Sequence, residues 1–175
     1  MAVKLCSFSL LVYVVFELMQ VWPLFDNCVM VAKKELKYAG PFGLAITLCG
    51  TVFVDRASST EGRRAINEAG IKAKASGTSM FLFPEGTRHR GGGGQMLAFK
   101  KGAFHVAVDS KLPILPIVVS EYEFLGPSRR DQFTGGEVTI QVLPPVETEG
   151  VGKEEIDDLI KRTRDSMVEA LNSLK

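Results

Sequence analysis

The sequence predicts an α/β fold: a mixed, mostly parallel sheet flanked by helices. Three observations predict it. Short β-branched apolar runs, "TVFVD" at 51–55 and "SMFLF" at 79–83, alternate with longer amphipathic stretches at 61–75 and 101–110. Both runs end in charge, as strands do when they deliver side chains to a sheet edge. The length, 175 residues, suits one such domain with a real core and is short for two.

Taken in order, residues 5–16 are almost purely apolar, and a second apolar stretch after Glu17 runs to Phe25. The first run is shorter than the ~20 residues a spanning helix needs. Lys4 before it resembles the n-region of a signal peptide, but no small-x-small cleavage site follows. A membrane-surface helix, a buried core helix and a signal anchor are the readings open for it. Trp22 and Phe25, closing the stretch as interfacial aromatics do, favour membrane association. Residues 1–28 are therefore set apart as an apolar N-terminal segment, and 29–175 as the folded domain.

Residues 29–32 read as a strand running into the charged "KKEL" and a helix start. "GPFGLAITLCG" is small and apolar, with Pro41 at a turn or a helix opening and Gly50 ending the stretch. The amphipathic helix over 61–75 carries Ala65, Ile66, Ala69, Ile71 and Ala73, with Gly77 as its stop. Residues 101–110 pack through Ala103, Phe104, Val106, Ala107 and Val108. "LPILPIVV" holds two prolines, which makes it an edge-like or irregular strand. "EVTIQVLPP" alternates, then stops at Pro144 and Pro145. A terminal helix places Ile156, Leu159, Ile160, Thr163, Met167, Ala170 and Leu171 on one face.

Composition narrows the function. A net charge of +1 gives no global attraction to nucleic acid, so any anion site must be local. The three cysteines, Cys6, Cys28 and Cys49, are far apart and show no CxxC or Cys/His ligand spacing. They are expected to be reduced, small and buried, with no metal. The chain also lacks the GxxxxGK[ST] phosphate loop and the GxGxxG fingerprint, which disfavours a nucleotide binder.

The local anion site is expected in "FPEGTRHRGGGGQ". Pro84 fixes the exit from the strand, and Gly86 lets the backbone turn tightly. Glu85, Thr87 and Arg88 then lie beside Asp55 and Arg56 from the previous strand end, with Lys100 and Lys101 opening the next helix. Arginine suits phosphate because its planar fork makes two parallel charge-assisted hydrogen bonds, and a helix N-terminus adds free N–H donors. Arg90 and the glycines at 91–94 read as an ordinary solvated loop.

"FPEGTR" followed by "FKKGAF" resembles the glycerolipid acyltransferases, and within them the 1-acylglycerol-3-phosphate acyltransferases. Three of that family's four blocks match in order: "GTVFVDR", "FPEGTR" and "LPILPIV". The resemblance covers roughly residue 17 to the C-terminus. It implies acyl transfer from acyl-CoA to lysophosphatidic acid, giving phosphatidic acid, at a membrane and in the endoplasmic reticulum. It implies no cofactor beyond acyl-CoA as co-substrate. Arg56 and Arg88 would grip the acceptor phosphate, with Glu85, Gly86 and Thr87 shaping the site and Lys100 and Lys101 adding charge.

The family's first block, H-x4-D, is absent. It supplies the general base and the aspartate that orients it. The matching stretch, "LLVYVVF" at 10–16, offers neither. Of the two histidines, His89 flanks the anion loop, and His105 forms H-x3-D with Asp109 on the wrong side of the second block. His105 is a weak substitute base. The resemblance thus implies little activity, a non-catalytic lysophospholipid- or acyl-CoA-binding protein, or the truncated product of an active gene.

Overall fold

The computed structural model describes residues 2–5, 27–55, 59–86, 96–120 and 136–174. The chain is a mixed α/β fold with a parallel sheet flanked by helices, as the sequence predicts. Strand β1 (Ala2–Leu5) is followed, beyond residues 6–26, by β2 (Cys28–Lys33), a 3-10 turn (Lys34–Tyr38), helix α1 (Gly40–Leu48) and β3 (Val52–Val54). Next come α2 (Ser59–Ser76), β4 (Ser79–Phe81), α3 (Lys101–Ser110), β5 (Ile117–Val119), β6 (Gly136–Val142) and α4 (Ile156–Ser173).

Strand β2 is the centre of a parallel sheet in the order β3-β2-β4. Its two neighbours are staggered. The first half of β2 pairs with β4, Met30 opposite Phe81, and the second half with β3, Lys33 opposite Val54. A second sheet, β1-β6-β5, is antiparallel. Strand β5 lies at its edge, where the prolines of "LPILPIVV" predict it. Strand β1 was not foreseen: Lys4, read from sequence as a signal-like flank, lies in a strand paired with β6. The other side of β6 carries β5, so the backbone of 2–5 completes its ladder.

Helix α4 carries the core. Ile156, Leu159, Thr163, Met167, Ala170 and Leu171 are buried on the predicted face, against Phe99 and Phe104 of the α3 region and Val118 of β5. Thr148 clasps the end of α3 to this layer, its hydroxyl facing the carbonyls of Leu112 at 3.0 Å and Ala107 at 3.3 Å. Helix α2 lies against β3, β4 and α3, burying Ala69 and Ala73.

Two sequence expectations are corrected here. Ile71 is exposed, because it stands two residues from both Ala69 and Ala73 and so falls on the opposite side of a helix turning 100° per residue. Cys49 is exposed as the C-cap of α1, and Cys28 is only half-buried. Burial still pushes the Cys28 thiol above its ordinary pKa.

Candidate functional site

The site begins where β4 ends. The Gly86 N–H donates to the Phe83 carbonyl at 3.0 Å, closing a turn around Pro84 and Glu85. Gly86 holds φ +67, a left-handed conformation that favours glycine. The segment before α3 folds back onto this turn, and the Lys100 N–H donates to the Pro84 carbonyl at 2.7 Å. A Cβ on Gly86 would stand 3.2 Å from Lys100 Cγ, so the lysine stem lies against the bare glycine. Lys100 is fixed from its other side as well. Phe99 is buried in the core and stacks on Phe104, with ring centroids 6.1 Å apart. Burying that ring leaves the ammonium-bearing residue exposed at the helix opening.

Arg164 of α4 supports the same segment. Its guanidinium donates to the carbonyls of Met96 at 2.7 Å and Leu97 at 3.4 Å. Lys101 points elsewhere, forming an ion pair with Asp157 in the first turn of α4 at 2.6 Å. An aspartate there also favours the helix dipole.

A second cluster lies beyond the carboxyl ends of β2 and β3. Lys34 reaches the Asp55 carboxylate at 3.4 Å, an exposed pair. Lys34, Lys37, Tyr38, Asp55 and Glu61 line a cleft of about 290 Å³. Glu35, fully exposed, is held below the usual carboxylate range first by a backbone hydrogen bond and then by Lys33 at 3.5 Å. The stagger of the sheet relates the two clusters. Phe81 is level with Met30 and Val54 with Lys33. Strand β4 ends at Phe81 and the turn begins two residues later, so both clusters follow the carboxyl ends of strands in the same parallel sheet.

Of the residues nominated from sequence, Glu85, Gly86, Lys100, Lys101 and His105 are placed. Arg56, Thr87 and Arg88 lie outside the described residues, as do His89, Arg90, the glycines at 91–94 and the apolar stretch at 6–25. Glu85 and Lys100 share the turn, whereas Lys101 is committed to Asp157. His105 is half-buried on α3, and its helical neighbour Asp109 pairs with Lys153 at 3.6 Å. Sequence reasoning missed Lys34, Lys37 and Arg164. The first two follow from the rule that found Asp55, since "KKEL" also ends a parallel strand. Arg164 left no local signal, because its partners are backbone carbonyls 67 and 68 residues away.

A family model described as Acyltransferase matches residues 10–120. The chain is 40% identical over 151 residues to the human protein called 1-acyl-sn-glycerol-3-phosphate acyltransferase alpha, covering 86% of this chain and 52% of that one. It is 36% identical over 160 residues to 1-acyl-sn-glycerol-3-phosphate acyltransferase from Saccharomyces cerevisiae, covering 91% and 52%. The chain thus spans about half the length of these curated relatives. Its fold is similar to the crystal structure of the 1-acyl-sn-glycerophosphate acyltransferase PlsC from Thermotoga maritima, with a TM-score of 0.64. That match has 23% identity and covers 89% of this chain and 60% of the other.

Proposed function

This chain belongs to the acyltransferase family, and from that premise we propose that it binds acyl-CoA and 1-acylglycerol-3-phosphate for transfer of the acyl group to the free glycerol hydroxyl. The observation that carries the reading is the turn from Phe83 to Gly86, closed on itself and pinned to Lys100 by backbone hydrogen bonds. Such a turn presents Glu85 in one fixed geometry. The arginine that follows, Arg88, has the planar fork that suits a phosphate monoester. Lys100 adds a charge from the opening of α3, while Lys101 contributes less because its ammonium is already paired with Asp157.

In the transfer, the glycerol hydroxyl oxygen attacks the thioester carbonyl carbon. A C–O bond forms and the C–S bond breaks. The thiol of coenzyme A leaves, and the hydroxyl proton passes through a base to the departing sulfur. The acceptor hydroxyl is a poor nucleophile until that base acts. No H-x4-D occurs in these 175 residues. Binding without rapid turnover is therefore the form of the function proposed for this chain. Membrane association and an endoplasmic reticulum location belong to the same proposal. Their support is the lipid nature of the acceptor and the apolar stretch at 5–25.

Titration of the Arg88→Ala variant tests the phosphate role. Affinity for lysophosphatidic acid is expected to fall on the order of 10-fold or more, as for loss of a bidentate charge-assisted pair, while acyl-CoA affinity stays within about twofold. Equal losses for the two ligands, in a variant with unchanged circular dichroism, would remove the acceptor-phosphate contact.

A further inference from the structure

The segment 96–100 brings Lys100 to the turn after β4, yet it is neither helix nor strand and has no sheet ladder to hold it. Beyond the ladder of α3 that it leads into, three hydrogen bonds hold its backbone among the described residues. One runs from the Lys100 N–H to the Pro84 carbonyl at 2.7 Å. The other two come from a single side chain in the last helix. Arg164 Nη2 donates to the Met96 carbonyl at 2.7 Å, and its Nε donates to the Leu97 carbonyl at 3.4 Å. A planar fork on two successive carbonyls fixes the direction of the chain as well as its position, which a single donor does not.

Arg164 is well placed to act as an anchor. It is half-buried, and it stands beside Thr163 and one turn before Met167, both buried in the α4 core. Met96 packs against the same core, so the two ends of the shorter bond share one rigid layer. Asp157, seven residues before Arg164 and so on nearly the same side of α4, holds the ammonium of Lys101 at 2.6 Å. The helix therefore touches this stretch on both sides of Lys100. The Lys100 stem runs over Gly86, where a Cβ would stand 3.2 Å from its Cγ and 3.8 Å from its Cε. Among the described residues no carboxylate pairs with Lys100 or with Arg164.

We propose that Arg164 is a positioning residue for the acceptor phosphate, holding 96–97 so that Lys100 stands over the turn before any ligand arrives. The inference rests on the reading of that turn as the phosphate site. Arg164 makes no contact with the ligand in this arrangement. Its effect is to remove the cost of ordering Lys100 at the moment of binding. Ordering one long side chain at an interface costs on the order of fivefold in affinity, and that is the size of effect expected from losing the clamp. The fork and not the charge is what matters. A lysine at 164 would keep the charge and the stem but could not span two carbonyls in one plane. Asp157 assists by engaging Lys101, which leaves Lys100 as the lysine with an uncommitted ammonium beside the turn.

The test is titration of the full chain with lysophosphatidic acid and with a monoacylglycerol of the same acyl chain, which lacks the phosphate. Arg164→Lys and Arg164→Met are each expected to weaken lysophosphatidic acid binding about fivefold and to leave monoacylglycerol binding within about twofold of the parent. In a Lys100→Met background, Arg164→Met is expected to cost less than about twofold further, because the residue it positions is gone. Arg164→Lys keeps the stem and the charge, so the test stands even where Arg164→Met fails to fold. Full affinity in Arg164→Lys would assign the effect to charge and overturn the proposal. Equal losses for the two ligands, or a loss undiminished in the Lys100→Met background, would make Arg164 a general support of the fold and overturn it too. Lys100→Met alone separates the inference from its premise. If that variant weakens lysophosphatidic acid binding and the Arg164 variants do not, the inference fails by itself. If neither Lys100→Met nor Arg88→Ala changes the affinity, the phosphate reading fails and the inference with it.

Discussion

At the scale of single residues, the site turns on Gly86. Its left-handed backbone and the contact with Lys100 Cγ act in the same direction, so any side chain there is strained and crowded. Gly86→Ala is expected to cost about 1–2 kcal/mol in urea unfolding, the usual penalty for an L-residue in this region. It should also weaken lysophosphatidic acid binding, by displacing Lys100 or by opening the turn. A variant with unchanged unfolding midpoint would show that the chain adopts another geometry at this turn. Much of the turn was legible beforehand, because proline and glycine bracketing a carboxylate leave few conformations. The bond from the Lys100 N–H to Pro84 was not legible. It joins residues far apart in the sequence, and nothing in either neighbourhood encodes the pairing. Lys101 shows the same limit: its partner Asp157 belongs to a helix that the local sequence does not mention.

Among the elements, α4 was the most readable and α1 the least. Helix α4 has a strong 3.6-residue period, and the face it predicts is the face that is buried. Helix α1 has no period, so its sequence leaves a turn or a helix open after Pro41 and does not say which side is covered. Ile71 on α2 is an intermediate case, in which apolar character points to burial but angular position sets the residue outside. The contrast between the helices has an energetic counterpart. Leu159 is fully buried at the centre of the α4 contact with Phe104 and Val118. Leu159→Ala is expected to destabilise the fold by about 2–5 kcal/mol, seen as a lower urea midpoint with an unchanged slope. Loss below about 1 kcal/mol would mean that the layer collapses around the cavity and that α4 is packed more loosely than its burial implies.

For the whole molecule, the expectation concerns turnover. This chain should transfer acyl groups to lysophosphatidic acid poorly, since a general base typically contributes ~10²–10⁴-fold in rate. A radiolabelled transfer assay on three proteins checks this: the chain itself, its His105→Ala variant, and a chimera carrying "NHQSSLD" before Glu17. Activity restored in the chimera alone is the expected outcome. Robust activity in the unmodified chain would refute it, and its loss in His105→Ala would name the replacement base. The family's blocks could be located in sequence because each is contiguous, while the relation between them in space rests on how the strands pair. That relation has a further consequence. Strand β4 ends at Phe81 and the turn closes from Phe83 to Gly86, so the number of residues between them, Leu82 alone, sets where Glu85 stands along the strand direction. Side-chain exchange at Leu82 leaves that level alone, whereas one residue inserted or deleted moves the turn by about 3.3 Å along the strand direction. The charged end of β4 is therefore tuned by chain length as much as by chemistry, and Leu82 is a place where substitution is tolerated and a change of length is not.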